Sequence, residues 1–436
     1  MGKYHIEGRF ILYLLYNMIL FLLLIILAPY LIYKIISGKY RKSLSLRLGF
    51  KKQNLENTGT NSRKPLIWVH AVSVGETAAA QPVVEQLREQ SDCEIIFSTV
   101  TETGQQMARK IIAADQIIYF PLDFSWCINR VLKQVEPDAV AIMETELWPN
   151  FIRMVDRQES KIMLVNGRIS DKSRTRYKYL GPLLADMLSR IDLFSMQSPK
   201  DREYIIELGA EESKVVNCGN TKFDRDFKQG GEWSPQEIRQ EFKIKSQQKV
   251  IIAGSTHPDE EEQLLPVFKK IKKKFADTIF IIAPRHVKRA AEIQRIYQKA
   301  GLQAVLRTEI KKRDLEPVII VDTIGELSDL YAVADLVFVG GSLMKKGGHN
   351  ILEPAARGKP VFFGPYMFNF TDSVNLVKEH QAGVQVEDSS ELQQKLLEYL
   401  KSPSKQKQIA QRALAMIDDN QGAAEENARL LLKMIN

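Results

Sequence analysis

The apolar residues of this chain fall into short runs separated by longer segments of mixed polarity. Between residues 65 and 227 the runs are five or six residues long, and segments of helical length lie between several of them. Strand and helix therefore alternate, which predicts a mostly parallel sheet with helices on its faces. The predicted strands are residues 66–70, 94–99, 116–120, 138–143, 161–166, 192–197 and 214–218, with helices at 76–89, 104–114 and 125–135.

A polar, glycine-rich stretch at residues 228–235 separates this half from a second one. It ends at Ser234, a residue type that caps helix N-termini, so we place a hinge at residues 228–245. The pattern predicts an α/β protein with two facing, doubly wound, Rossmann-like domains, residues 65–227 and residues 246–436, the second including the terminal helices. Ligands of such sheets bind beyond the carboxyl ends of the strands, so we expect functional residues just after strands, in a cleft between the domains. The predicted strands of the second half are residues 249–253, 278–283, 317–321, 335–339 and 360–363.

A long uncharged run precedes both domains, at residues 10–33. As a helix it rises about 36 Å, more than the roughly 30 Å of a hydrocarbon core, so residues 1–33 are predicted to form a single-pass transmembrane anchor. A cleaved signal peptide is the alternative, but the run exceeds a signal h-region and no small-x-small site precedes Lys34.

The charges beside this anchor predict its orientation. Seven Lys and Arg residues lie between residues 34 and 52, against two before residue 10, and the positive-inside rule therefore places the domains in the cytoplasm. Residues 34–64 form a basic juxtamembrane segment that suits an anionic lipid surface. A merely solvated basic linker would have the same composition.

Composition narrows the classes of partner. The 61 Lys and Arg residues outnumber the 53 Asp and Glu residues, for a formal net charge of +8, which indicates anionic partners such as nucleic acid, acidic lipid or sugar phosphate. Cys93, Cys127 and Cys218 are odd in number and lack metal-ligand spacing, so we expect reduced thiols and no disulfide framework. The six histidines are dispersed without an HExxH pattern, and we expect no structural metal.

One glycine-rich region follows the predicted strand at 335–339. Gly340 and Gly341 close that strand, and a second glycine pair, Gly347 and Gly348, precedes a predicted helix at residues 350–357. The free N–H groups and positive dipole of a helix N-terminus favour a phosphate, and Glu353 could accept hydrogen bonds from ribose hydroxyls. An ordinary strand-loop-helix connection, with glycines serving only the turn, explains the same residues.

Charged residues follow the predicted strands of the first half. Glu76 opens a helix after the first strand, where it could act as a general base or merely favour the first turn of that helix. Glu144 and Glu146 lie on alternate faces of an extended chain, so we expect only one of them to face the cleft. Lys222 and Arg168 are the cations at this edge.

The second half presents a predicted nucleotide site. Arg285, Gly325-Glu326 and residues 350–353 follow three predicted strands, and an arginine can bind a phosphate through two hydrogen bonds. The chain has no GxxxxGK[ST] pattern and no GxGxxG after a first strand, which disfavours NTP hydrolysis and dinucleotide redox chemistry.

The DxD at residues 224–226 is interpreted as solvated charge. A hydrolase nucleophile at Ser73, in a near-match to GxSxG, ranks below a transferase.

Five segments together resemble the bacterial 3-deoxy-D-manno-octulosonic acid (Kdo) transferases. They are HAVSVGE at 70–76, METELWPN at 143–150, NGR at 166–168, GNTKFD at 219–224 and GHNILEP at 348–354. The resemblance implies a GT-B fold at the cytoplasmic face of the inner membrane. It also implies transfer of Kdo from CMP-Kdo to lipid A precursor during lipopolysaccharide synthesis.

The same resemblance implies roles for individual residues. Glu76 matches the family's proton acceptor, while Glu144 and Lys222 match residues that stabilise the transition state. The residues that match its CMP-binding segments are Pro284, Arg285, Ile324, Gly325, Glu326, Asn350, Ile351, Leu352 and Glu353.

These roles describe an inverting reaction without a bound cofactor or metal. Glu76 takes the acceptor proton as the bond to CMP breaks, and Lys222 with the helix near Asn350 stabilises the departing phosphate. The implied partners are CMP-Kdo, lipid A precursor and the anionic inner-membrane surface, with no nucleic acid. Two alternatives stay open on the residues alone: a GT-B transferase that uses another nucleotide sugar on a membrane lipid, and a membrane-tethered nucleotide sensor without turnover.

Overall fold

The computed structural model describes residues 2–36, 43–50, 64–225, 233–312 and 317–435. The chain divides into two compact units, Met1–Arg225 with Asn420–Asn436, and Asp226–Asp419. We call them unit 1 and unit 2. Part of the predicted basic segment (37–42 and 51–63) and part of the predicted hinge (228–232) lie outside the described residues.

Unit 1 is built on a parallel sheet of seven strands in the order β3-β2-β1-β4-β5-β6-β7. The central strand β1 pairs with β2 and β4, with Trp68 opposite Ile96 on one side and Val140 on the other. The strands are β1 (Leu66–His70), β2 (Glu94–Thr99), β3 (Gln116–Tyr119), β4 (Ala139–Met143), β5 (Lys161–Gly167), β6 (Leu193–Met196) and β7 (Val215–Asn217).

Helices cover both faces of this sheet. Trp68 packs into one hydrophobic cluster and its neighbour Val69 into another, so β1 is buried on both sides and has no polar alternation. The described helices of the first 225 residues are α1 (Gly2–Ile36), α2 (Leu44–Arg47), α3 (Val74–Gln90), α4 (Glu102–Ile111), α5 (Ser125–Val135), α6 (Pro149–Asp156), α7 (Asp171–Lys178), α8 (Pro182–Ser189) and α9 (Pro199–Glu207).

Unit 2 contains a second parallel sheet, in the order β10-β11-β9-β8-β12-β13-β14. Its strands are β8 (Val250–Thr256), β9 (Ile279–Pro284), β10 (Ala304–Leu306), β11 (Val318–Ile320), β12 (Leu336–Val339), β13 (Val361–Phe363) and β14 (Val384–Gln385). Its helices are α10 (Pro235–Glu241), α11 (Glu260–Lys274), α12 (Ala290–Lys299), α13 (Leu327–Leu330), α14 (Leu352–Ala356), α15 (Thr371–Glu379), α16 (Ser389–Lys401) and α17 (Pro403–Asp419).

The predicted strands are confirmed in both units, with ends that differ by at most three residues. The sequence pattern missed β10 and β14, which have three and two residues and form the two edges of the second sheet. Edge strands this short carry too few residues to show an apolar run.

The last helix, α18 (Ala423–Ile435), corrects the predicted domain boundary. It belongs to unit 1, whereas the sequence placed residues 246–436 in one domain. Its apolar stripe, which includes Ala424, Ala428 and Leu431, packs in the same cluster as Val83 of α3. A helical pattern shows which face is apolar but does not identify the sheet that covers it.

Asp224 holds the start of α18. Its carboxylate accepts hydrogen bonds from the backbone N–H groups of Gly422 and Ala424. Burial raises the pKa of this carboxyl group. The interpretation of Asp224 as solvated charge was therefore wrong, because its charge serves a helix N-terminus.

Candidate active site

Glu76 lies in the first turn of α3, after the end of β1. Its carboxylate is buried and accepts hydrogen bonds from the Val72 N–H (2.7 Å) and the Ser73 hydroxyl (2.7 Å). Ser73 in turn caps α3, accepting from the Glu76 N–H at 3.4 Å. Burial raises the pKa of Glu76, and these hydrogen bonds act in the opposite direction. Glu76 therefore supports the first helical turn and also presents a fixed, partly desolvated carboxylate, and its use as a general base stays a prediction.

Glu144 and Lys222 form an ion pair at the same edge of the sheet. Glu144 follows β4 with a left-handed backbone (φ 54°), and its Oε1 lies 2.9 Å from Lys222 Nζ. A short helical turn at Thr221–Phe223 carries Lys222, and Thr221 fixes that turn by donating to the Ala79 carbonyl at 2.8 Å. The pair is about one-quarter to one-third exposed, so the lysine remains available to a ligand.

Glu146 lies close to both other glutamates. Its pKa is raised to about 7 by burial first and then by the charges of Glu76 and Glu144. The expectation that Glu144 and Glu146 occupy opposite faces was wrong. The left-handed residue 144 breaks the extended conformation on which that expectation rested, so three carboxylates and one lysine gather after strands β1, β4 and β7.

In unit 2, the N–H groups after β12 are occupied by the protein itself. Glu260, fully buried at the start of α11, accepts from the N–H groups of Gly341 (2.7 Å), Ser342 (3.0 Å) and Leu343 (2.9 Å). A Cβ at Gly340 would lie 2.7 Å from the Ser255 carbonyl oxygen, so this glycine permits two strand ends to meet. The first glycine pair therefore serves packing and an internal carboxylate, as expected of an ordinary turn.

The helix predicted at residues 350–357 is shorter than expected, because α14 covers only Leu352–Ala356. Asn350 closes its start: its Oδ1 accepts from the Leu352 N–H at 3.0 Å, and its Nδ2 donates to Glu353 Oε1 at 3.1 Å. Ile351 and Leu352 are buried, so only their backbone groups can face a ligand. A helix dipole of five residues contributes little, and Asn350 and Glu353 are the polar side chains here.

Histidines surround Arg285, which follows Pro284 at the end of β9 and is exposed. His257 and His349 stack with ring centroids 5.1 Å apart and an Nε2 to Nε2 distance of 2.9 Å, and the ring of His286 lies 6.1 Å from that of His257. Burial, His257 and Arg285 together lower the pKa of His349 to about 4. The hydrogen bond thus joins two neutral rings, one donating and one accepting.

The histidines are dispersed in sequence, but three of them lie close together in unit 2. Two of the three, His257 and His286, follow predicted strands, and His349 precedes Asn350 in the glycine-rich segment. The positions of these histidines, at or near the carboxyl ends of predicted strands, could therefore have indicated the cluster, although the three residues are far apart in sequence.

The remaining predicted nucleotide residues follow β11. Ile324 is exposed and Gly325 has a left-handed backbone (φ 102°), a conformation that glycine adopts without strain. Glu326 Oε1 lies 3.3 Å from the guanidinium of Arg307. Glu326 and Arg285 thus follow the adjacent strands β11 and β9, whereas Asn350 follows β12, which is separated from β9 by β8. The described contacts join Asn350 to Glu353 and Glu326 to Arg307.

Comparison with known proteins matches both units to glycosyltransferase families. The model of the 3-deoxy-D-manno-octulosonic-acid transferase (kdotransferase) family matches residues 42–225, and that of the group 1 glycosyl transferases matches residues 234–416. The 3-deoxy-D-manno-octulosonic acid transferase of Haemophilus influenzae is 31% identical over 403 residues, 91% of this chain and 92% of that protein. The chain belongs to the Kdo transferase family.

Membership decides between the alternatives left open by the residues. Kdo transferases are glycosyltransferases that transfer Kdo, so neither a sensor without turnover nor a transferase of another sugar describes this chain. The bifunctional glycosyltransferase/methyltransferase of Fusobacterium nucleatum is 38% identical over 331 residues, 74% of this Kdo transferase and 51% of that protein. The chain spans about half the length of that relative.

Solved structures confirm the GT-B type of fold. The UDP-GlcNAc 2-epimerase of Neisseria meningitidis bound to UDP-GlcNAc matches with a TM-score of 0.56 at 13% identity, over 85% of this Kdo transferase and 99% of that chain. At that identity the likeness concerns the fold alone.

Proposed function

We propose that this Kdo transferase moves Kdo from CMP-Kdo to a hydroxyl of lipid A precursor, with inversion at the anomeric carbon. The observation that carries the proposal is the carboxylate of Glu76, fixed beside Glu146 and the Glu144–Lys222 ion pair at the carboxyl edge of the first sheet. Family membership supplies the sugar, and this edge supplies the groups that a direct displacement needs.

Glu76 is the proposed proton acceptor. The acceptor hydroxyl oxygen forms a bond to the anomeric carbon as the bond from that carbon to the CMP phosphate oxygen breaks, and the hydroxyl proton passes to Glu76. Burial raises the pKa of Glu76, which makes its carboxylate a stronger base than an exposed glutamate. One displacement on one face of the sugar inverts its configuration.

Lys222 is the proposed electrostatic stabiliser. Negative charge develops on the departing phosphate, and an ammonium group held in place by Glu144 stabilises that charge without reorganising. The leaving group is a nucleoside monophosphate, which carries less charge than a diphosphate. We therefore propose that protein cations suffice and that the reaction requires neither a metal ion nor a cofactor.

The nucleotide is assigned to unit 2. Arg285 is an exposed cation beside the histidine pair, and it would bind the phosphate of CMP. Asn350 and Glu353 present amide and carboxylate groups suited to ribose hydroxyls, while Glu326 follows the exposed turn at Ile324 and Gly325. Pro284, Ile351 and Leu352 shape this region through the backbone.

The proposed location is the cytoplasmic face of the inner membrane. Helix α1 contains an apolar segment, Ile11–Tyr30, that is long enough to enter a bilayer. The proposed acceptor is itself a membrane lipid, so attachment confines the search for it to a surface, and the net charge of +8 favours an anionic lipid surface over a neutral one.

The direct test uses the purified full-length chain with CMP-Kdo and tetra-acylated lipid A precursor. The expected product is the lipid with added mass of whole Kdo residues, and NMR of its anomeric centre tests inversion. Glu76→Gln should abolish product while CMP binding persists. Glu102→Gln is the matched control, because Glu102 occupies the first turn of the next helix and is exposed. If Glu76→Gln formed product at the wild-type rate, Glu76 could not be the proton acceptor.

A further inference from the structure

Helix α1 changes surroundings part-way along its length. Tyr13 is only 1% exposed and belongs to the hydrophobic cluster of unit 1 that includes Trp68. From Met18 (57% exposed) to Ile36 (80% exposed) large apolar side chains face outward. Residues 11–17 thus form a segment with one face packed on unit 1, while Ile11, Leu14 and Leu15 on its other face are about half exposed. Residues 18–36 follow as an exposed apolar segment.

Hydrogen bonds fix the packed segment to unit 1. The Tyr13 hydroxyl donates to Asp186 Oδ2 at 2.8 Å, and the Tyr16 hydroxyl donates to Asp123 Oδ2 at 2.9 Å. Both carboxylates are buried, so each hydroxyl satisfies a group that water does not reach.

A third contact is reciprocal. The side-chain amides of Asn17 and Asn150 exchange hydrogen bonds at 3.1 and 3.2 Å. Asn150 is fully buried and also donates to the Asp123 carbonyl. Three residues within five positions of α1 therefore form part of the polar interior of unit 1.

Residues that follow the exposed segment contact the same part of unit 1 as Tyr16 does. The Leu122 N–H donates to the Arg47 carbonyl at 3.0 Å, and Arg47 Nε donates to the Phe120 carbonyl at 3.2 Å. Asp123, the partner of Tyr16, is the next residue along. The contacts on both sides of the exposed segment thus include residues 120–123 of unit 1.

These contacts are incompatible with a helix that crosses the bilayer. If residues 11–30 spanned it, Tyr13 would lie about 25 Å from Tyr30, in the leaflet remote from the globular units. Tyr13, Tyr16 and Asn17 instead bind buried polar groups of unit 1, and a folded parallel sheet with polar loops cannot occupy hydrocarbon. An all-round apolar helix still requires lipid around it.

We propose that α1 is a monotopic anchor. Residues 18–36 enter the leaflet that faces unit 1 and do not cross to the other side, so the residues before Tyr13 lie on the same side of the membrane as unit 1. This differs from the single-pass orientation predicted by the positive-inside rule, in which the two ends of the helix lie on opposite sides.

An aromatic cluster on unit 1 marks the level of the lipid surface. Phe50 (65% exposed) and Trp126 (45% exposed) lie 5.7 Å apart, and the guanidinium of Arg130 lies 4.9 and 5.2 Å from the two ring centroids. Trp126 is three residues from Asp123. Aromatic rings with an adjacent cation suit the headgroup region, and the cluster adjoins the point where α1 leaves unit 1.

The test is the side of the membrane on which each end of the chain lies. One epitope tag is fused before Met1 and another, in a second version, after Asn436, where α18 reports the side of unit 1. Intact spheroplasts and lysed spheroplasts are treated with an impermeant protease. We expect the two tags to be digested in the same preparations. Digestion of one tag and protection of the other in intact spheroplasts would overturn the proposal.

A second measurement tests the packed segment in native membranes. The double variant Asn17→Cys/Asn150→Cys should form an intramolecular disulfide on mild oxidation, because the two side chains touch. Each single variant is the matched control and should not form it, since Cys93 and Cys127 are buried and the half-buried Cys218 follows the edge strand β7, three strands away from β4. Failure of the double variant to cross-link, while Kdo transfer persists, would show that α1 leaves unit 1 in the membrane and would exclude the monotopic arrangement.

Discussion

The Nζ of Lys222 lies 2.9 Å from Oε1 of Glu144, although 78 residues separate them in sequence. The left-handed backbone of Glu144 turns its side chain toward the short helical turn that carries Lys222. The ion pair lies beside a carboxylate whose pKa is already raised, so the charge of Lys222 is held where it affects the proposed chemistry.

Lys222→Met should reduce Kdo transfer by about 10²- to 10³-fold, which is the typical effect of removing one group that stabilises transition-state charge. The free energy of unfolding should change by at most about 1 kcal/mol, because the pair is partly exposed. Product formation measured with saturating donor checks the first statement, and urea unfolding checks the second.

Lys161→Met is the control for that variant. Lys161 forms a comparable, exposed ion pair with Asp192 at 3.3 Å, and it lies at the start of β5 rather than at its carboxyl end. Its activity should equal that of the wild type. If Lys222→Met and Lys161→Met lost equal activity, the effect of Lys222 would come from the net charge of the protein and not from the position of the lysine.

Glu146 should make the stability of unit 1 depend on pH. Its folded pKa is about 7, against about 4.3 in an unfolded chain, so the folded protein binds the proton more tightly. The contribution of Glu146 is complete below the unfolded pKa and is lost as pH rises through about 7. Glu146→Gln should therefore lessen the loss of stability between pH 5 and pH 8, by on the order of 1 kcal/mol after screening by solvent.

Urea unfolding at the two pH values, followed by tryptophan fluorescence, measures this difference, since Trp68, Trp126 and Trp148 all lie in unit 1. Glu89→Gln, an exposed glutamate on α3, is the control and should retain the wild-type dependence. If Glu146→Gln also retained the wild-type pH dependence of stability, a group other than Glu146 would bind the proton.

Glu260→Ala should destabilise unit 2 by about 3 kcal/mol or more. The substitution leaves the N–H groups of Gly341, Ser342 and Leu343 buried without their common acceptor, and each unsatisfied group costs about 1 kcal/mol or more. Trp233, the only tryptophan of unit 2, reports unfolding. Glu262→Ala, exposed on the same helix, should change stability little, and a similar stability for both variants would contradict the assigned role of Glu260.

Binding of CMP should raise the pKa of His349. In the free protein burial, the neighbouring imidazole of His257 and the guanidinium of Arg285 hold that pKa near 4, and an added phosphate would offset the contribution of Arg285. NMR titration of the imidazole resonances with and without CMP measures the shift. Arg285→Gln should weaken CMP binding, and an unchanged His349 titration in the presence of saturating CMP would place the phosphate elsewhere.

The sequence predicted the sheets well because their strands are buried on both faces. Trp68 and Val69 face different clusters, so β1 reads as a continuous apolar run that ends where polar residues begin. The positions of Glu76, Glu144 and Lys222 after strands followed from the same rule.

Other features depend on contacts that a pattern does not show. The left-handed conformation of Glu144 brings Glu146 to the same site, and nothing in the residues 143–147 requires it. Glu260 is one of three consecutive glutamates at the start of α11, and its burial against the loop after β12 distinguishes it from exposed Glu262 only in three dimensions. The partner of α18 likewise lies some 340 residues earlier in the chain, on α3.

The placement of α18 has a consequence for synthesis of the chain. The apolar face of α3 and its sheet are complete by residue 225, yet the helix that covers them begins at Ala423. A ribosome that adds 5–20 residues per second needs roughly 10–40 s to reach it. During that interval the nascent first unit exposes Val83 and its neighbours in the cell, so this surface is where we expect a chaperone to bind before translation ends.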